Sequence, residues 1–422
     1  MTAALTKNVA RVNAERLLAT MAEMSRFGAQ PNGGITRPGF SEPERKARDH
    51  LARRATEQGF LSTVDAAGNL IIRRPGADPT KPTLMLGSHL DSVTNGGQFD
   101  GTYGVVAALE VLRQLTAEGR TGWLEPVVVA FSNEEGAKFP YPFFGSRAVV
   151  GQSALPSNVT HGAREELAIE LRLSGGDIDR QESARWPTPI GAYLEVHIEQ
   201  GPTLERAGVP IGVVDTINGR TIVEIEIRGR QAHAGTTPMN QRADALATAA
   251  RVILVIERAA REQRLCSVST VGNASVTPGE ANVVAGEVHL TAEIRDSNRG
   301  RLRRAEAAIR AELDTFRVSE ATLVHIDVTM RTDPVAADAT VSSVIREAAS
   351  SLELEHLVLS SGAGHDAQII AAEAPIGMIF VPSRGGVSHA PEEYTDDEDL
   401  VHGANVLLQS AILLMEQEGL QG

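Results

Sequence analysis

The chain has 422 residues, enough for about two or three domains with a sizeable interior, and its single cysteine, Cys266, excludes an internal disulfide and any multi-cysteine zinc site. Hydrophobic residues at 42% and charged residues at 22% match soluble globular chains, and no run approaches the ~18 apolar residues of a membrane-spanning helix. The net charge of −14 opposes non-specific attraction to nucleic acid or anionic lipid. An anionic substrate therefore needs a few local cations, and a metal would take His, Asp and Glu ligands.

In chain order, Met1 to Met24 reads as an amphipathic helix, with Val12, Leu17, Leu18 and Met21 at helical spacing. It lacks the uninterrupted apolar core of a signal peptide, so a cytoplasmic location is expected. Thr83–Gly87 and Val127–Phe131 are buried-strand candidates, Tyr103–Leu115 is helical in period, and Ala192–Ile198 reads as a further strand. Strands alternating with helices predict an α/β sheet covered on both faces. From about Val213 the texture changes. Thr221–Arg228 alternates apolar and charged residues as a half-solvated strand does. A helix over Ala243–Glu262, strands at Leu265–Val276 and Val283–Ile294, a helix over Arg301–Phe316 and a strand at Thr322–Met330 complete a compact α+β module. A helix near Val341–Leu352, a strand at Ile376–Val381 and a helix over Asp396–Glu416 resume the first style. The expected architecture is a main domain, 1–213 plus 331–422, interrupted by an inserted module at 214–330.

The polar residues gather at the ends of the apolar strands, where open α/β sheets build their sites. Thr83–Gly87 runs into Ser88-His89-Leu90-Asp91, with His89 and Asp91 on one side in extended geometry. A carboxylate so placed can hold the ring nitrogen that a metal-binding His does not use for coordination. A glycine-rich loop, Asn95 to Gly101, then delivers Asp100 just before a helix, where it reads either as an N-cap or as a partner of His89. The next strand ends in Glu134-Glu135, adjacent carboxylates that form either a solvated acidic turn or a pair compensated by a cation. A third strand delivers His197, and the loop after Ile376–Val381 delivers His389. Of the remaining histidines, His50, His161, His289, His325, His356 and His402 lie in contexts that suit surface or packing roles, and His365 reads either way.

The ordered set His89, Asp91, Asp100, Glu134-Glu135, His197 and His389, within GSHLDSVTNGGQFDG, FSNEEGAKF, EVHIEQGP, GRQAHAGTTPM and SHAPEEYT, resembles the di-metal amidohydrolases of the M20 peptidase-like superfamily. His197, where peptidase relatives usually carry a carboxylate, makes it most similar to the hydantoinase/carbamoylase branch. That branch comprises N-carbamoyl-L-amino-acid hydrolases, allantoate amidohydrolases and β-ureidopropionases of the same fold. The resemblance implies a zinc-exopeptidase-like α/β catalytic domain with a mostly parallel central sheet, interrupted by a ferredoxin-like α+β dimerisation (lid) domain.

It further implies two divalent ions per subunit, Zn2+, Mn2+, Co2+ or Ni2+, held by His89, Asp100, Glu135, His197 and His389, with Asp100 bridging. Glu134, Asp91 and His233 enter the catalytic machinery, Glu134 as general base and His233 as a donor to the developing oxyanion in a neighbouring subunit's site. Gln200, Asn282 and Arg295 match substrate-binding positions, and the guanidinium fork of Arg295 suits a substrate carboxylate. The activity so implied is hydrolysis of the ureido C–N bond of a small N-carbamoyl acid by a homodimer. Allantoate carries the same two groups. An M20 aminoacylase or peptidase, or an inactive binding protein on the same fold, would be told apart by substrate and by metal content. The aromatic segment Phe139–Phe144 follows the acidic pair and reads either as a pocket wall or as a structural loop.

Overall fold

The computed structural model describes residues 9–156, 158–319 and 322–418. These fall into two compact units. Thr216–Ala336 forms one, and the stretches up to Asp215 and from Ala337 onward form the other.

The first unit is built on a sheet whose strands in chain order are β1 (Leu61–Val64), β2 (Leu70–Arg73), β3 (Thr83–His89), β4 (Glu125–Phe131), β5 (Ile190–Ile198) and β6 (Ile211–Ile217). The second unit contributes β7 (Gly219–Arg228), β8 (Ala232–His233), β9 (Val268–Thr277), β10 (Val283–Val284), β11 (Glu287–Asp296) and β12 (Leu323–Thr332). The short β13 (Val335–Ala336) returns the chain to the first unit, which adds β14 (His356–Ser361) and β15 (Ile376–Val381).

The spatial order in the first unit is β1-β2-β4-β3-β5-β15-β6, with β14 also on β6. The centre β4-β3-β5-β15 is parallel, and β2 and β6 flank it antiparallel. The four central strands are buried along their whole length, which is why they read as near-continuous apolar runs. One face packs on the helices Thr102–Ala117, Ala339–Ser351 and Asp397–Glu416 through Val106, Leu109, Leu194, Val196, Ile345 and Leu407, and the helix Ala14–Met24 packs against the first and last of these through Leu17. All three parallel junctions leave their strand C-termini at one edge, and the polar residues collect there.

In the second unit the path β7, helix Ala245–Arg261, β9, β11, helix Arg299–Ser319, β12 gives an antiparallel sheet in the order β12-β7-β11-β9. This is the ferredoxin-like connection. The helices cover one face, because Val223, Ile225 and Ile227 alternate with Glu224, Glu226 and Arg228 along β7.

Several elements differ from the sequence reading. The first helix starts only at Ala14, where the Asn13 side chain accepts from Arg16 N and caps it; residues 1–8 of the expected helix lie outside the described residues. The expected strand Val283–Ile294 is two, because Ala285 and Gly286 bond elsewhere and β10 pairs with β8. The helix Glu42–Glu57 and the antiparallel β1-β2 edge had no signal strong enough to be read. That helix is largely charged, with a narrow stripe of Ala47, Leu51 and Ala55. Among the described residues no helix is long and apolar enough to cross a membrane.

Candidate metal centre

Asp100 is the hub. The helix Thr102–Ala117 is capped by Gly101, not by Asp100, so the Asp100 carboxylate is free to point back to the sheet edge. Gly101 is required there on two counts: its φ is +61°, and a Cβ would lie 2.4 Å from the His89 ring. Asp100 Oδ1 lies 3.1 Å from His197 Nε2 and 3.4 Å from His89 Nε2, while Oδ2 lies 3.1 Å from His389 Nε2. Two clusters result, His89–Asp100–His197 and Asp100–Glu135–His389, and in each the candidate ligand atoms lie within 4.8 Å of one another. They share only Asp100.

The tautomers follow from the second nitrogens. His89 Nδ1 donates to the backbone carbonyl of Asp91 at 2.9 Å, and His197 Nδ1 donates to that of Ile198 at 2.8 Å. A carbonyl can only accept, so Nδ1 carries a proton in each ring, and when the ring is neutral the lone pair of Nε2 is turned toward Asp100. The Asp91 carboxylate is thus not the group that holds the His89 ring; it stands 3.7 Å away. It accepts instead from Glu134 N at 3.0 Å and Glu135 N at 3.1 Å, fixing the turn that presents both glutamates.

The two glutamates diverge. Glu134 Oε2 faces His89 Nε2 at 3.8 Å and belongs to neither cluster, whereas Glu135 Oε1 faces His389 Nε2 at 3.4 Å. Asn133 before them, Gln200 after β5 and His389 itself all hold φ near +50° to +60°, a conformation costly for residues with a Cβ. Gln200 donates to Asp100 Oδ2 at 2.7 Å.

The electrostatics call for positive charge. Burial, reinforced by Glu135, Asp366 and Asp91, pushes the Glu134 carboxyl well above the usual range. Burial works to lower His89, yet Glu134 and Asp100 together raise it well above its usual value. His389 is pushed up to about 11 by the Asp100 and Glu135 carboxylates that face its Nε2. Convergent carboxylates and imidazoles of this kind are stable only with protons or cations between them. Glu135 Oε1 and Gln200 Oε1 are also buried without a hydrogen-bond partner. Nitrogen and oxygen donors in two groups sharing one carboxylate fit a pair of divalent ions.

Second-unit candidates are placed as follows. His233 on β8 accepts from Gly235 N and Thr236 N at its Nδ1, 3.0 and 3.3 Å, which puts its proton on Nε2 as an outward donor. Asn282 is beside it, its carbonyl bonded to Ala234 N at 2.9 Å. Arg295 stands on the helix-free face of the sheet, paired with Glu293.

Sequence reading missed Glu393, whose Oε1 accepts from Phe99 N and Asp100 N while Oε2 accepts from Ser388 Oγ, joining the Asp100 loop to the His389 loop. It also missed Arg37, a buried guanidinium bonded to Leu90 O, Met24 O and Thr102 Oγ1, which ties together the two turns that carry His89 and Asp100. Glu195 and His365 lie beneath His197. A charged residue inside an otherwise apolar run, as in AYLEVHI, is the signal that could have found Glu195.

The model of peptidase family M20/M25/M40 matches residues 85–412. An N-carbamoyl-L-amino-acid amidohydrolase of Paenarthrobacter aurescens is 39% identical over 94% of this chain and 97% of its own length. The allantoate amidohydrolase of Escherichia coli K12 is 33% identical over 92% and 95%. A hydantoinase/carbamoylase family amidase from Burkholderia multivorans superposes with a TM-score of 0.84 at 34% identity, covering 96% of this chain and 99% of that one. With the parallel sheet and the composition of its strand ends, these likenesses show that the chain belongs to peptidase family M20/M25/M40, among the hydantoinase/carbamoylase amidases, hydrolases of C–N bonds.

Proposed function

We propose that the protein hydrolyses the ureido group of N-carbamoyl-L-amino acids to the amino acid, carbon dioxide and ammonia. The observation that carries the reading is the separation of Glu134 from two ligand clusters that share Asp100. His89, Asp100 and His197 would hold one divalent ion and Asp100, Glu135 and His389 the other. Such ions, when bound, polarise a carbonyl and lower the pKa of water.

The chain's own groups do the rest. Glu134, its backbone anchored by Asp91, takes a proton from the attacking water and returns it to the departing nitrogen. Water adds to the ureido carbon, the terminal C–N bond breaks to release ammonia, and the remaining N-carboxylate loses carbon dioxide as its nitrogen is protonated. His233 Nε2–H donates to the oxygen that becomes negative in the transition state, acting from the partner subunit of a homodimer built on the inserted unit. Asn282 and Gln200 contact the ureido group, and Arg295 exchanges Glu293 for the substrate carboxylate.

Allantoate is the second reading, favoured by the allantoate amidohydrolase among the relatives and by its own ureido and carboxylate groups. Ammonia release from N-carbamoyl-L-amino acids, N-carbamoyl-β-alanine, allantoate and N-acyl amino acids, on protein reloaded with Mn2+, Co2+, Ni2+ or Zn2+, separates them. Fastest turnover of an N-carbamoyl-L-amino acid is expected; turnover confined to allantoate or to N-acyl amino acids would refute the proposal.

A further inference from the structure

Glu195 is a fully buried acid that the reaction above does not use. Side chains alternate along a strand, so Tyr193, Glu195 and His197 share one face of β5 while Leu194, Val196 and Ile198 enter the apolar core. Glu195 Oε1 accepts from Ser88 Oγ at 2.7 Å; Oε2 accepts from Tyr193 Oη at 3.0 Å and from Ala367 N at 3.2 Å. Ser88 immediately precedes His89 on β3, and Ala367 lies in the first turn of the helix Asp366–Ile370 that follows His365. One carboxylate thus joins the ends of two strands, each carrying a candidate ligand, to a helix start. Its oxygen and the ring nitrogens of His197 and His365 lie within 4.8 Å of one another, and the two rings stack edge-on at 4.7 Å.

Resting on the two-ion reading, we infer that Glu195 is a positioning residue for one of the two cation sites, the one formed by His89, Asp100 and His197. The three hydrogen-bond donors are neutral groups that fix the orientation of the Glu195 carboxyl. The three donors require an acceptor at this position, which a neutral amide would also supply; what only a carboxylate adds is negative charge beside the cation site. In this reading the Glu195 carboxylate faces the His197 side of the sheet edge and lends its charge to the cation of the adjacent His89–Asp100–His197 site. His389 and Glu135, proposed ligands of the other site, pair with Asp100 and with each other.

The test is a Zn2+ titration of chelator-stripped protein. Glu195→Gln keeps an acceptor for Tyr193 Oη and Ala367 N and offers its amide to the Ser88 hydroxyl, so the geometry survives and the charge does not. One of the two affinities should weaken about 10- to 100-fold, the range for outer-layer partners of metal ligands, with the other unchanged. The same weakening should appear in a His389→Ala background, where only the affected site remains. Ser88→Ala, which removes the donor next to His89, should weaken that site several-fold, and Tyr193→Phe, whose hydroxyl is shared between Glu195 and Gly87 O, should weaken it in the same direction but less. Unchanged affinities in Glu195→Gln and Ser88→Ala, or equal weakening of both sites, would overturn the inference. Failure of the unmodified protein to take up two ions would instead overturn the two-ion reading, and this inference with it.

Discussion

Replacing Glu134 by Gln tests the division of labour between the adjacent glutamates. The change is isosteric, the Glu134 backbone stays bonded to Asp91 Oδ1 at 3.0 Å, and the side chain belongs to neither ligand cluster. Both ions should therefore remain. What is lost is the proton acceptor, and general-base catalysis contributes about 10²- to 10⁴-fold, or roughly 3–5 kcal/mol at 1.36 kcal/mol per decade. Glu135→Gln, by contrast, removes an anionic ligand atom 3.4 Å from His389 Nε2 and should release the ion held by Asp100, Glu135 and His389. The assay is steady-state ammonia release from an N-carbamoyl-L-amino acid, paired with metal content by mass spectrometry after gel filtration. Equal metal loss in both variants, or a Glu134→Gln rate within threefold of the unmodified enzyme, would refute the reasoning.

Three further outcomes are expected. Arg295→Lys keeps the charge but loses the bidentate fork, so kcat/KM should fall about 10- to 100-fold for carboxylate substrates and little for an uncharged ureide; equal losses on both would contradict the assignment. Mixing inactive His233→Ala and Glu134→Gln proteins should regenerate activity if His233 works in the partner's site, since each mixed dimer then holds one site with both residues; no recovery after verified subunit exchange would count against it. Burial raises the Glu44 carboxyl from its usual 4.5 to about 7. Below pH 4.5 both states are protonated and the stability is fully present; between pH 4.5 and 7 the unfolded chain ionises first, so on the order of 3 kcal/mol is lost as pH rises. Glu44→Gln should flatten that slope in urea unfolding at pH 5, 6, 7 and 8, and an identical slope would refute it.

The parallel centre of the sheet was legible because four apolar runs each ended in a polar cluster, and that pattern also placed His89, Glu134, Glu135 and His197 at one edge. The pairing of ligands was not legible: spacing cannot say that His89 goes with His197 and Glu135 with His389, because the pairing depends on which way each Asp100 oxygen points. Nor was the task of Asp91. Its extended spacing from His89 suggests a ring contact, yet the backbone carbonyl makes that bond and the carboxylate serves the turn after β4, 43 residues further on. Glu393 and Arg37 escaped for a related reason, since each acts on backbone groups brought near only by folding, and such bonds leave no mark in local sequence.

The most direct test of the account is the number of divalent ions retained per chain by the unmodified protein, by His389→Ala and by Asp100→Ala, measured in parallel by mass spectrometry. Two, about one and close to none are predicted, because Asp100 alone belongs to both clusters. One ion in the unmodified protein, or two retained by Asp100→Ala, would contradict it.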